Sequence, residues 1–591
     1  MRRALSRRLL LVAAARVRGF VRVSELAQAA VAVVVGAAAG VCVTTMTSIA
    51  TFGHVLFYGI PLDQKLSAAA RISPLAAFLT PALGGLALSL IESWRTRRRM
   101  SPAVDPIEAN ALRGGRMATG ESAIVSAQTV ISNGCGASVG LEAGYAQIGG
   151  ALASRIGLAF RLRRQDLRVL VGCGAGGAIA AAFGAPLTGA FYAAELIIGS
   201  YSLANAGPIF AAALAATLTV KALGGAPYVV VTPPVAPLAI EHHFALIVLG
   251  LIAAALGVGA MRVAAALEKL FVASGAPRWL RRLIGGAILG AMALYTPQVL
   301  GAGHGALELD TPAALSAGTL AALIVLKLSA SLISLASGFR GGLFFASLFV
   351  GALLGKLYAI AVNLALPALG LDPTACILAG MGTLGVAIVG GPLTMTLLVL
   401  ESTGDLAVAG GVLAACIATS LAVRATFGYS FATWRLHLRG ESIRGAQDIG
   451  WLRDLTVARL MVSAPPTIWA RASLRAFRDA YPLGSAHVVV AVDEAGRYNG
   501  LVSVPEAHAA QIVEGEDGGP VSAVARMPLT TLHPDIDVRS ALAVFDAAAA
   551  DTLAVTDRAT DAVLGTLSEA FAARRLAQET SQAATGALGG T

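Results

Sequence analysis

Apolar residues in this chain run on without the alternation of a half-buried strand or the polar face of a surface helix. Such runs cover about 26–60, 74–92, 119–158, 167–226, 240–268, 283–298 and 316–426. An upright membrane helix takes about 20 apolar residues, so the runs predict a dozen or more membrane segments. Several stretches are too short or too glycine-broken to span singly. They predict discontinuous helices that meet at mid-depth, tolerated only where protein or a cavity surrounds the broken backbone. After about residue 445 the pattern turns soluble. Val457-Ala-Arg-Leu-Met461, Pro466-Thr-Ile, Ala472-Ser-Leu, Val488-Val-Val-Ala-Val and Gly500-Leu-Val-Ser503 are followed by a second series. That series is Val524-Ala-Arg-Met527, Thr530-Thr-Leu, Asp537-Val-Arg, Leu553-Ala-Val and Gly565-Thr-Leu-Ser568. The two predict an α/β module present twice. The small, polar stretch after Ala577 is expected to be disordered.

Composition adds the solvent to this picture. Of 591 residues, 56% are hydrophobic and only 13% charged, which places most of the chain in a bilayer. The net charge of +10 comes from arginines beside apolar spans, where they record topology rather than a nucleic-acid partner. Islands lie at Arg95, Arg97, Arg98 and Arg99, at Arg161, Arg163, Arg164 and Arg168, at Arg278, Arg281 and Arg282, and at Arg435, Arg439 and Arg444. They are expected to face the cytoplasm with both termini, and the basic start of the chain to lie as a helix on the inner surface. Five cysteines sit in apolar runs without metal-ligand spacing and read as packing residues. No cluster of polar residues points to an enzyme, and no metal or other cofactor is required.

One charge stands out. Glu142 is the lone ionisable residue in a glycine-rich segment from Gly134 to Gly150, and a carboxylate at membrane depth is costly unless compensated. The glycines let one helix end and another begin, and a helix start offers free amides and a positive dipole end. Glu142 then reads as a tethered anion in a site that a mobile anion also fits, the alternative being a helix-capping or ion-paired glutamate. A repeat is visible as well. Pro186-Leu-Thr188 leads to Glu195 and Pro392-Leu-Thr394 to Glu401 at equal spacing, while Gly150-Ala-Leu and Gly351-Ala-Leu lie upstream. Two related halves form ion sites where they meet.

Taken together and in order, these segments resemble the CLC family of chloride channels and chloride/proton antiporters with a C-terminal pair of CBS domains, over about 25–577. Gly140-Leu-Glu-Ala-Gly-Tyr-Ala-Gln-Ile-Gly-Gly150 is similar to the family's GREGPxxQxGG, and Gly342-Leu-Phe-Phe-Ala to GxFxP. Glu401-Ser-Thr-Gly resembles its E-x-T-G, and Tyr429-Ser430, placed on a terminal helix, matches its anion-coordinating tyrosine. The resemblance implies an α-helical polytopic membrane protein with an inverted repeat and discontinuous helices, then a cytoplasmic α/β CBS pair. The implied boundaries are 1–24 for the basic helix, 25–444 for the membrane domain, 445–577 for the CBS pair (about 450–515 and 516–577) and 578–591 for the tail. It implies a homodimer in the cell membrane, in contact with lipid, that moves chloride and interacts with protons.

Carried over position by position, the resemblance makes Glu142 the gate that competes with anion. Tyr429 becomes a hydroxyl donor, and the amides near Leu343 and Phe344, with those of Leu141, Ala143 and Gly144, become the anion cradle. Departures qualify it. Where the family has a serine near the inner end, this chain has Ala103, with Asp105 close by. The arginine, glycine and proline around the gate are Leu141, Ala143 and Gly144. The antiporters' relay glutamate is Leu196, immediately after Glu195. Leucine carries no proton, so channel-like or loosely coupled transport is favoured over strict antiport. Glu195 is either a displaced relay or a structural cap. Nitrate or fluoride stays open as the anion. In the CBS pair, Ser503-Val-Pro-Glu506 retains a possible adenine-nucleotide signature, whereas Ser568-Glu-Ala-Phe571 lacks the acid. A cation channel regulated by CBS domains is disfavoured, since rings of acids do not line the apolar half.

Overall fold

The structure is a computed structural model and describes residues 24–225, 227–228, 235–430, 433–434, 455–509, 519–526 and 529–586. The expected N-terminal basic helix, the arginine island at Arg435, Arg439 and Arg444, and the boundary at 444 lie outside the described residues. The chain divides into two compact units, one carrying the apolar helices and the other the strands.

The helical unit is built twice over. Its first half comprises α1 (Glu25–Tyr58), α2 (Pro74–Arg97), α3 (Pro106–Leu112), α4 (Thr119–Gly134), α5 (Glu142–Ala159), α6 (Arg164–Phe183), α7 (Pro186–Tyr192) and α8 (Leu203–Ala222). The second half repeats the order as α9 (Ile240–Ala273), α10 (Arg278–Tyr295), α11 (His304–Asp310), α12 (Ala317–Ser337), α13 (Phe344–Ala365), α14 (Pro373–Ile388), α15 (Pro392–Thr403) and α16 (Leu406–Thr426). The opening helices both have 34 residues, and α3 and α11 are both single short pieces of 7. Packing repeats too: α1 lies on α8 as α9 lies on α16, and α2 packs against its own counterpart α10. The repeat seen in two Pro-to-Glu segments therefore extends through the whole unit. Among the described residues, seven helices are long and apolar enough to cross a membrane, and exposed Leu26, Phe52, Leu56, Leu251 and Leu421 give them apolar outer faces.

Residue chemistry sets the boundaries of these elements. Proline at the first helical position, where the amide has no intrahelical partner, opens α2, α3, α7, α14 and α15. Asp105 caps α3 through the Ile107 amide at 2.8 Å, and Asp405 caps α16 through Ala407 at 2.8 Å. Where helices cross, glycine removes the side chain that would keep them apart. A Cβ on Gly149 would strike the Gly174 carbonyl, and one on Gly351 that of Gly380, so both halves use the same close crossing. The structural register thus pairs Gly149 with Gly351, one residue earlier than the Gly150 pairing. Around the second crossing a core forms from Phe344, Phe345, Phe349, Leu348, Met381 and Met395.

Two arginines read as topology markers have other work. Arg95 is buried and donates to the Ser101 carbonyl at 3.1 Å, and Arg282 is buried and reaches the Gly338 carbonyl at 3.2 Å and Ser89 Oγ at 3.3 Å. All five cysteines are free.

In the second unit, β2 (Thr467–Trp469), β3 (Val488–Val492) and β4 (Tyr498–Ser503) form one sheet in that order. β1 (Val462–Ser463), β5 (Thr552–Thr556) and β6 (Val563–Ser568) form another, ordered β1-β6-β5. The two modules exchange their leading strands. β1, from the first series, pairs antiparallel with β6 of the second, while Arg526, from the second, exchanges amide bonds of 2.8 Å with Leu501 of the first. A division at about 515/516 therefore separates the sequence series but cuts the β1-β6-β5 sheet and the Leu501–Arg526 bridge. The last helix, Glu569–Gly586, continues past Ala577 into the stretch expected to be disordered; its alanines carry high helix propensity.

Candidate functional site

The starts of α5 and α13 are held side by side. Gly140 N donates to the Gly342 carbonyl at 2.9 Å and Gly342 N to the Gly140 carbonyl at 3.1 Å, so the two loops that launch these helices form a reciprocal bridge. Neither start is capped by a side chain. The side chains of Leu141, Leu343 and Phe344 are buried in core clusters, which leaves their backbone as what they offer the site. Ala143 is exposed between buried neighbours, so the surface opens beside the first turn of α5. Gly144 lies on the packed side, its carbonyl accepting from Ser126 Oγ at 2.9 Å. Two uncapped helix starts of 18 and 22 residues, converging without a cationic side chain, make a weakly positive donor cradle suited to an anion.

Glu142 occupies that cradle. It is the first residue of α5, 4% exposed, and its carboxylate takes a hydrogen bond from its own amide. The other oxygen, Oε2, is buried without a hydrogen-bond partner among the described residues. This oxygen folds back over Gly140 so closely that any side chain at 140 would collide with it. Among the described residues Glu142 makes no ion pair, so of the two structural alternatives only a partial self-cap describes it.

The loop carrying Ala103 passes below α5. Gln147, one turn into that helix, donates from Nε2 to the Val104 carbonyl and to Ser122 Oγ, both at 2.8 Å, which ties the loop to the helix. Ala103 itself presents no donor side chain. Asp105 turns its carboxylate into the amides of α3.

Tyr429 is not on a helix. α16 ends at Thr426 and Gly428 adopts φ +84°, a left-handed conformation that favours glycine and breaks the helix, so Tyr429 lies in an irregular segment. Its ring packs with Phe427 and Trp434, at centroid distances of 6.1 and 5.6 Å. Both neighbours pack on the core that contains Phe344. Ser430 then pairs with Thr433, its amide donating to Thr433 Oγ1 at 2.8 Å.

Glu195 is a cap, and a reciprocal one. Its carboxylate accepts from Leu393 N at 3.2 Å, Thr394 N at 2.9 Å and Thr394 Oγ1 at 2.7 Å. Glu401 does the same for the other half, accepting from Leu187 N and Thr188 N, both at 2.8 Å, and from Thr188 Oγ1 at 2.7 Å. Each carboxylate thus neutralises the helix start of the opposite repeat. Leu196 points elsewhere, to within 3.2 Å of a Cβ placed on Gly390, in the neighbourhood of Ser430.

Two groups escaped the sequence reading. Lys327 on α12 is 1% exposed and donates to the carbonyls of Val299 at 3.2 Å and Gly301 at 2.7 Å. Gln147, quoted within a motif, gained no role from it. A single cation in an apolar run is the same signal that singled out Glu142.

In the strand-bearing unit, Ser503 ends β4 and Glu506 follows on the helix Val504–Ala509. Glu506 is ion-paired to Arg526 at 3.0 Å, and Ser568 accepts from the Phe571 amide at 3.3 Å. His508 and His533 are tied to the Tyr481 and Thr556 carbonyls, at 2.9 and 3.2 Å.

Comparison with known proteins identifies the family. The family model described as "Voltage gated chloride channel" matches residues 83–424. The voltage-gated ClC-type chloride channel ClcB of Escherichia coli O157:H7 is 30% identical over 400 residues, spanning 67% of this chain and 95% of that protein. Among solved structures, a slow cyanobacterial Cl⁻/H⁺ antiporter aligns with a TM-score of 0.60 at 23% identity, covering 70% of this chain and 97% of that one. A eukaryotic CLC transporter aligns over 92% of this chain and 98% of its own with a TM-score of 0.63 at 16% identity, so its likeness is one of fold. The chain belongs to the voltage-gated chloride channel, or CLC, family of anion-transporting membrane proteins.

Proposed function

We propose that this chain conducts chloride through each subunit of a homodimer, gated by Glu142 and without strict proton coupling. The carrying observation is the buried, partnerless Glu142 Oε2 at the bridged starts of α5 and α13. In this reading the carboxylate and a mobile anion compete for the same amides. Protonation removes the charge that lets Glu142 compete, and anion enters. Neutral donors suit conduction, since binding must be strong enough to dehydrate the anion and weak enough to release it. Tyr429 contributes a hydroxyl deeper in the path. Leu196 supplies no titratable group, and Glu195 is engaged as a cap, which supports uncoupled or loosely coupled movement.

Chloride flux from liposomes containing the full chain tests the reading. Flux rises as external pH falls, and Glu142→Gln gives high, pH-insensitive flux at neutral pH. Wild-type rate and pH response in that variant remove the gate from Glu142. The reading places the termini and strand-bearing unit in the cytoplasm, and native mass spectrometry in detergent checks the dimer. It treats the CBS-like pair as a structural module, because Arg526 already engages Glu506. Titration with ATP or AMP is expected to leave the melting temperature unchanged.

A further inference from the structure

We propose that Tyr192 is an anion-coordinating residue, its hydroxyl donating to the permeating anion on the inner side of the α13 start; this rests on the anion-transport reading above. Tyr192 is the last residue of α7, and the next six residues, Ala193–Ile198, run as a wide π turn. Such turns cost regular hydrogen bonding and recur at functional sites. The ring stands at the seam between two core clusters. On one side it tilts against Phe344, with centroids 6.2 Å apart, the residue that opens α13 and whose amide belongs to the cradle. On the other it packs against the cluster holding Val104, Ile107 and Ala146, which brings it to the loop after Ala103 and to the inner flank of α5.

The hydroxyl is the unusual part. Buried tyrosine hydroxyls ordinarily find a partner, and others in this unit do: Tyr58 donates to the Cys135 carbonyl at 2.9 Å, Tyr358 to Ala245 at 2.8 Å, and Tyr145 pairs with Thr47 at 2.6 Å. Tyr192 makes no hydrogen bond among the described residues, and it is only partly buried despite core on both sides. Its contacts with Phe344 on one side and the cluster of Val104 on the other set it between the start of α13 and the loop after Ala103. A neutral O–H in that position has no acceptor among the described residues to satisfy it. A partly dehydrated halide does satisfy it, and a neutral donor holds the ion without trapping it. Ala103, next to Val104 in the loop packed on that ring, offers no hydroxyl of its own.

The test is chloride and bromide binding to the full-length protein in detergent by isothermal titration calorimetry. Tyr192→Phe keeps the ring and its packing and removes only the donor. Binding is expected to weaken about 2- to 10-fold, the loss of one neutral hydrogen bond. Adding Ala103→Ser to that variant returns a hydroxyl from the neighbouring loop and is expected to recover the affinity. Unchanged binding in Tyr192→Phe, or a loss that the serine does not recover, overturns the assignment while leaving the transport reading in place. Absence of any halide binding by the unmodified chain overturns both.

Discussion

At the scale of single residues, the proposed gate depends on what is missing beside it. Gly140 has no side chain, and the Glu142 carboxylate fills the space where a Cβ would lie. Because the obstructed atom is the far end of a flexible side chain, Gly140→Ala is expected to displace the carboxylate rather than the backbone. Flux at neutral pH should then approach that of Glu142→Gln, with a melting temperature near wild type. A variant that conducts like wild type would show that the carboxylate does not rest over Gly140. Lys327 gives a contrasting case, a buried ammonium that satisfies two carbonyls and touches no helix start of the cradle. Lys327→Met preserves volume but orphans those acceptors, at about 1–3 kcal/mol each before water compensates. Lower thermal stability with unchanged pH dependence of flux is the expected result. Glu142 was legible because a lone carboxylate in an apolar run has few explanations. Tyr192 was not, because tyrosine in such a run is ordinary and only three dimensions show that its hydroxyl lacks a partner among the described residues.

Between elements, the strongest coupling is the exchange of carboxylates between α7 and α15. Glu195 and Glu401 each accept three hydrogen bonds from the opposite helix start, and charge-assisted bonds of this kind contribute about 1.5–3 kcal/mol apiece in favourable settings. Glu195→Gln and Glu401→Gln are therefore expected to lower stability in detergent by similar amounts, read as matched drops in melting temperature. A large drop for one and none for the other would contradict the reciprocal arrangement. The equal Pro-to-Glu spacing was visible in the sequence, but pairing across some 200 residues was not, since spacing says nothing about which helix end a carboxylate reaches. Tyr429 differs for a local reason: the resemblance places it on a terminal helix, and the left-handed Gly428 ends the helical backbone before it. The same gap in pairing explains the exchanged leading strands of the α/β pair, where two similar series each read naturally as self-contained.

For the molecule as a whole, the question is whether a proton has a way to accompany the anion. In the proposed reading the two halves converge on one cradle with Glu142 as the group that titrates, so an exchanged proton must reach Glu142 from the inner side through some relay. At the position where the resemblance places that relay stands Leu196, an apolar side chain near Gly390 and Ser430. Its neighbour Glu195 is held by a backbone amide pair and a hydroxyl of α15, and releasing it would strip charge compensation from that helix start. A proton route through Glu195 would therefore alternate between capping and relaying, at the cost of the helix-end bonds in every cycle. Reconstituted protein held under opposing chloride and proton gradients separates the possibilities. With no coupling the reversal potential follows chloride alone, about 59 mV per tenfold gradient, and does not move when only the proton gradient is changed. A shift at fixed stoichiometry would establish exchange. In that case Glu195→Gln decides the route, because a carboxamide can still accept at the α15 start but cannot carry the proton, so loss of the shift would assign the relay to Glu195 and its persistence would assign it to water.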